Sequence, residues 1–169
     1  MMDLNYIQTP LRNQTIEEQI KDFYLLNNKE RTYQHVLGVA MAAEKLALQY
    51  QEDIRACIVA ALLHDISAVI TPQDMMKIAN ELQWQLDSAE KIYPFLLHQK
   101  ISALIAYEYF QIRNLSILKA IESHTTLRSN PSKLDMIIFI ADKLAWDQPG
   151  EPPFKKNIEM ALNDSLEAA

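Results

Sequence analysis

The sequence predicts an all-α protein, a compact bundle of about seven helices. Apolar residues recur every three or four positions along nearly the whole chain, and no stretch of strict alternation competes with them. Only two glycines occur among 169 residues, too few for hairpin-rich β architectures or for glycine-rich phosphate loops. Helix-start signals stand in front of several periodic segments.

Thr15 opens TIEE, a capping box with Glu18, and Ile16, Ile20 and Phe23 follow at helical spacing. A second helix is expected over 31–50, with Val36, Val39, Ala43 and Leu46 on one face. A third starts near Asp53 and runs through ALLHDISAVI. Thr71-Pro72 is a helix start, since proline suits the first helical position, and Met75, Ile78, Ala79 and Leu82 continue it. Residues 88–110 read as one or two helices with a break at Pro94. Ser116 is expected to cap SILKAIESH, and Ser132 with Asp135 forms a capping box ahead of MIIFIADKLAW. QPGEPP ends that helix, and a last one is expected over 155–166. Residues 1–30 read as an N-terminal extension with one helix, and 31–169 as the domain proper.

The hydrophobic and charged fractions, 49% and 22%, are those of ordinary globular domains. A net charge of −6 without a dense basic patch argues against a nucleic-acid partner. An acidic protein that handles phosphates needs local compensation from metals or a few Lys and Arg. The single cysteine, Cys57, is expected as a buried core thiol. No cationic start followed by an apolar stretch opens the chain, and the apolar runs are too short to span a bilayer, so the cytoplasm is expected and a membrane partner is not.

The four histidines, His35, His64, His98 and His124, each lie on or at the end of an expected helix among small or apolar neighbours. A lone histidine there is ordinarily a satisfied side chain. His64 and Asp65 stand side by side within an apolar run, and Asp142 directly follows MIIFIA. Burying a carboxylate costs about several kcal/mol even after relaxation. A divalent metal offsets that penalty, and so does an Arg or Lys partner or a protonated state. Imidazoles plus carboxylates without a thiolate suit iron, manganese, cobalt, nickel or zinc. Six such groups exceed the four ligands of a typical zinc site, which makes two metals plausible.

In order, His35, His64-Asp65, His98, His124 and Asp142 resemble the metal-binding signature of the HD-domain phosphohydrolase superfamily. The pattern is most similar to the bacterial HD proteins that cleave diadenosine tetraphosphate symmetrically. RTYQH, AALLHD, AIESHTT and MIIFIAD carry the resemblance over roughly residues 31–145. It implies an HD-domain fold with a metal site in the core cleft. It also implies hydrolysis of a phosphoanhydride or phosphoester bond of a nucleotide by attack of a metal-bound hydroxide. One metal takes His35, His64, Asp65 and Asp142; the second takes Asp65, His98 and His124. His64 and Asp65 are then the catalytic pair. The alternatives are a nucleotidase for mononucleotides and a non-catalytic regulatory module.

Four segments depart from the family pattern. ISAVI lacks the basic residue that usually follows the HD pair, and Leu127 replaces a glycine after HTT. HQKISA replaces H-G-x-x-G-A, and KLAWDQPG replaces an arginine-containing segment. Substrate contacts are therefore expected from this chain's own residues: Arg31, Arg128, Lys143, Lys100, Thr125 and Trp146. Each has a plain alternative. Arg128 can be a solvated loop charge, Lys143 can pair with Asp147 at i+4, Thr125 can cap a helix end, and Trp146 can be core. The expected partners are a small phosphate or nucleotide substrate and, for the 1–30 segment, a capping role or a homodimer contact.

Overall fold

Helix α3 (Ile54–Leu63) is the axis of the molecule. Asp53 caps it, accepting a hydrogen bond from the Ala56 amide, and seven of its ten residues are buried. A helix apolar all round must be wrapped on all sides. Here α1 (Ile16–Leu26), α2 (Glu30–Tyr50), α6 (His98–Glu108), α7 (Leu115–Glu122) and α8 (Lys133–Leu144) do so. The remaining elements are α4 (Pro72–Glu81), α5 (Ser88–Ile92), α9 (Lys155–Ala161) and two 3₁₀ turns, Ile66–Val69 and Pro94–Leu97. The computed structural model describes residues 7–10 and 13–169, and the rest of the expected N-terminal extension lies outside them. The described residues hold nine α-helices and no strand, more helices than expected because 88–110 divides and short elements form.

The caps follow local chemistry. Thr15 with Glu18, Asp87 with Glu90, and Ser132 with Asp135 form reciprocal capping boxes. Thr71 caps α4, with Pro72 in its first turn. The expected cap Ser116 lies inside the first turn of α7. Asn114, with an extended backbone, takes its place and accepts from the Ser116 amide at 2.9 Å. Asn and Ser are comparable caps, so backbone geometry decides between them. The last helix is shorter than expected, ending at Ala161.

The expected continuous helix through ALLHDISAVI is also corrected. α3 ends at Leu63, His64 is its C-cap, and Asp65 leaves helical geometry at φ −109° and ψ 19°. A 3₁₀ turn then begins. His64 and Asp65 are therefore set apart by a break in the chain, inside the bundle. No single helix among the described residues is long and apolar enough to cross a membrane.

The helix expected in the N-terminal extension is built into the core. Ile20, Phe23 and Tyr24 are fully buried. The Tyr24 hydroxyl donates to the Leu62 carbonyl at 3.3 Å, and Phe23 packs edge-on against Phe110 with centroids 5.5 Å apart. Replacing Phe23 with alanine should destabilise the whole domain by about 3–5 kcal/mol. Urea unfolding followed by circular dichroism reads this as a lower midpoint of one cooperative transition; a separate, unshifted main transition would mean that α1 is an appendage.

Candidate metal centre

Five elements bring the six predicted residues together. α2 and α8 pack against each other, and His35 Nε2 lies 3.2 Å from Asp142 Oδ1. His64 projects from the end of α3, its Nε2 3.6 Å from both Asp142 Oδ1 and Asp65 Oδ2. The other carboxylate oxygen, Asp65 Oδ1, lies 3.5 Å from His124 Nε2 and 3.8 Å from His98 Nε2. The imidazoles form a chain, with centroids 5.4 Å apart for His35–His64, 4.7 Å for His64–His124 and 4.9 Å for His98–His124. Two sets have donor atoms close enough to share an ion: His35, His64 and Asp142, and His64, Asp65 and His124.

Helix ends explain the aim of the His64 and His124 rings. The last carbonyls of a helix lack intrahelical partners. His64 Nδ1 lies 2.7 Å from the Ala61 carbonyl, His124 Nδ1 2.8 Å from that of Ile121, and His98 Nδ1 2.8 Å from that of Phe95. A carbonyl only accepts, so each Nδ1 donates and each Nε2 turns a lone pair inward. Metal-binding histidines are commonly braced in this way. The His98 and His124 Nε2 atoms stand 3.1 Å apart, two acceptors facing each other, and the buried His64 Nε2 has no hydrogen-bond partner. An unmade buried hydrogen bond costs about 1–3 kcal/mol. This donor set fits a divalent cation: the facing lone pairs and two carboxylates are reconciled by positive charge between them.

Without an ion, protons take up part of that role. Burial opposes charge on His64, but the carboxylates of Asp65 and Asp142 outweigh it and raise the imidazole pKa to about 9. Burial also works against ionised Asp142 and Asp65. A hydrogen bond from His35 and the charges of His64 and Lys143 nevertheless hold Asp142 far below the ordinary carboxylate range, and His64, His124 and His98 do the same for Asp65. Burial, helped by the neighbouring charge of His64, lowers the pKa of His124.

The six residues expected to contact substrate divide. Lys143 donates to Asp142 Oδ2 at 2.7 Å and lies at the centre. The alternative pairing with Asp147 is not made, because α8 ends at Leu144 and the i+4 spacing is lost; Asp147 instead meets Arg31 Nη2 at 3.5 Å. Thr125 Oγ1 is 3.1 Å from His98 Nε2. Trp146 lies beyond the helix end, partly exposed, with its ring edge-on to Phe154. Arg128 is engaged by fully buried Asp135 and Lys100 by buried Glu90, each at 2.5 Å. Both cations line a groove of about 440 Å³ to which none of the six cluster residues contributes. Leu127, in the place of the pattern's glycine, adopts φ +45°, the left-handed region in which glycine is easiest. Gln99 and Ser102 fall within HQKISA and Ser67 within ISAVI, two of the segments that depart from the family pattern, and that departure is their one signal in the sequence.

The family model for the HD domain matches residues 32–147, and the chain belongs to that family. A Lactococcus lactis subsp. cremoris protein, named as uncharacterized and from the pepC 5′ region, is 40% identical over 111 residues, 66% of this chain. This chain spans 57% of that relative's length. A symmetrical bis(5′-nucleosyl)-tetraphosphatase of Halalkalibacterium halodurans is 32% identical over 140 residues, covering 81% of this chain and 74% of the relative. Among solved structures, a Clostridium acetobutylicum protein described as a "predicted HD superfamily hydrolase involved in NAD metabolism" aligns with a TM-score of 0.81 at 30% identity. The alignment covers 90% of this chain and 80% of that one.

The raised pKa of His64 has a measurable consequence in metal-stripped protein. Its imidazolium contributes stability fully below pH 6.5, and this is lost as pH rises through about 9. Asp65 and Asp142 act oppositely: their contribution is present above about pH 3.8 and is lost as pH falls. Urea midpoints of the stripped protein should decline from pH 6.5 to 10, and the His64→Asn variant should lack that decline. Equal alkaline slopes in both would mean that His64 is neutral.

Proposed function

We propose that this chain is a metal-dependent phosphohydrolase acting on a phosphoanhydride bond of a nucleotide, with a dinucleoside tetraphosphate as first substrate. The observation that carries this reading is the convergence of four imidazoles and two carboxylates with three Nε2 lone pairs braced inward. One ion is assigned to His35, His64, Asp65 and Asp142, and a second to Asp65, His98 and His124. Iron is the first candidate and manganese, cobalt, nickel or zinc the alternatives, since nitrogen and oxygen donors without thiolate suit all five. Two such ions, when bound, supply Lewis acidity and a clamp for the attacking and leaving oxygens of an in-line displacement.

The chain's own part is positioning. Asp65 turns one oxygen to His64 and the other to His98 and His124, so one carboxylate serves both halves. Its strongly lowered pKa keeps it ionised as a ligand at neutral pH. Ala61 fixes the His64 ring, which makes His64 and Asp65 the central catalytic pair. Lys143 and Thr125 are placed to bind phosphate oxygens, while Arg31 and Trp146 lie further out at the exposed edge. Arg128 and Lys100 are assigned to their buried carboxylates instead. Symmetrical cleavage breaks the central P–O bond, adds water across it and yields two nucleoside diphosphates.

Elemental analysis of anaerobically purified protein should find two transition metals per chain, and diadenosine tetraphosphate should give nucleoside diphosphate. Asp65→Ala and His124→Ala should each lose at least about 100-fold in kcat together with bound metal. Lys143→Ala should mainly raise KM. Activity confined to mononucleotides would move the substrate to that class. Absence of both metal and activity, after iron, manganese or cobalt is supplied, would refute the enzyme reading.

A further inference from the structure

Two hydrogen-bonded bridges outside the ligand set converge on the first turn of α6. Gln99 is 6% exposed, although its side chain is a polar amide. Its Oε1 accepts from the Thr125 amide at 3.3 Å, and its Nε2 donates to Thr126 Oγ1 at 3.1 Å. This ties α6 to the turn that carries His124. On the other side, fully buried Ser102 donates from Oγ to Ser67 Oγ at 2.9 Å and accepts from the Ser67 amide at 3.2 Å. Ser67 Oγ donates onward to the His98 carbonyl at 2.9 Å. This ties α6 to the turn that follows Asp65. A buried hydroxyl or amide is costly unless its bonds are made, and here they are made across elements.

His98 sits between the two bridges, at the head of α6. It is more exposed than His64 or His124, with 20% of its side chain accessible. Apolar packing therefore does less to hold it. The first ion's other residues, His35, His64 and Asp142, are set by α2, α3 and α8, and only the shared Asp65 lies next to a bridge.

We propose that Gln99 and the Ser67–Ser102 pair are positioning residues that hold His98 in register between Asp65 and His124 and so set the affinity of the second metal position. The inference rests on the two-ion reading above. Removing the bridges loosens the second ion far more than the first, which shares only Asp65 with it.

Calorimetric titration of the metal-free full chain with Co²⁺, followed in parallel by visible absorption, tests this. Wild type should take two equivalents and His98→Ala one. Gln99→Met keeps length and burial but no amide; Ser102→Ala removes only a hydroxyl. The double variant should bind the first equivalent as wild type does and the second at least about tenfold more weakly, with a changed absorption band for that step. If the double variant does not fold, each single variant carries the same expectation. Wild-type affinity for both equivalents, or equal weakening of both, would overturn the positioning role. Fewer than two equivalents in wild type, or two retained in His98→Ala, would overturn the two-ion reading itself.

Discussion

Two carboxylates and three imidazole lone pairs gathered inside a helical bundle need positive charge, and much of the structure follows from that need. Asp65 and Asp142 are mostly shielded from water, and burial alone would drive each towards its neutral form. They stay ionised because imidazoles surround them and Lys143 closes one side. The same arrangement that holds a proton on His64 gathers donor atoms close enough to share a metal ion. Proton and metal compete for one set of atoms, which is the general basis of pH-dependent metal binding.

The fold meets this need by ending helices at the centre. Apart from Arg55 in its first turn α3 is apolar on every side, so it lies deep in the bundle, and its C-terminus opens inside rather than at the surface. Carbonyls left over at the ends of α3 and α7 become braces for His64 and His124, while the Phe95 carbonyl braces His98 and also accepts its backbone amide. What is ordinarily a liability of helix termini here sets two tautomers. His35 differs: it lies within α2, has no such carbonyl, and takes its orientation from Asp142.

Outside the centre, acidic side chains claim the cations. Asp135 and Glu90 are buried at helix N-termini as members of capping boxes, where a negative charge is favourable. Each then needs a partner, and Arg128 and Lys100 supply it. Breaking such a pair leaves a buried charge uncompensated, so these two cations are committed to structure. Lys143 is the cation that remains directly against the ligand cluster.

Local sequence alone determined the helical class and most of the caps, and resemblance to a family pattern picked out the six residues that the fold brings together. Periodicity and capping act within a few residues, so they are legible in one dimension. The amphipathic pattern of IEEQIKDFYLL likewise marked α1 as a helix, although only its partners show it to be core. The tertiary structure decided where α3 stops, which ring nitrogens face inward, and which cations are engaged. His35 meets Asp142 across 107 residues of chain, Arg31 meets Asp147 across 116, and Ser67 meets Ser102 across 35. Contacts of that range depend on how helices pack, and packing is a property of the whole bundle rather than of any segment.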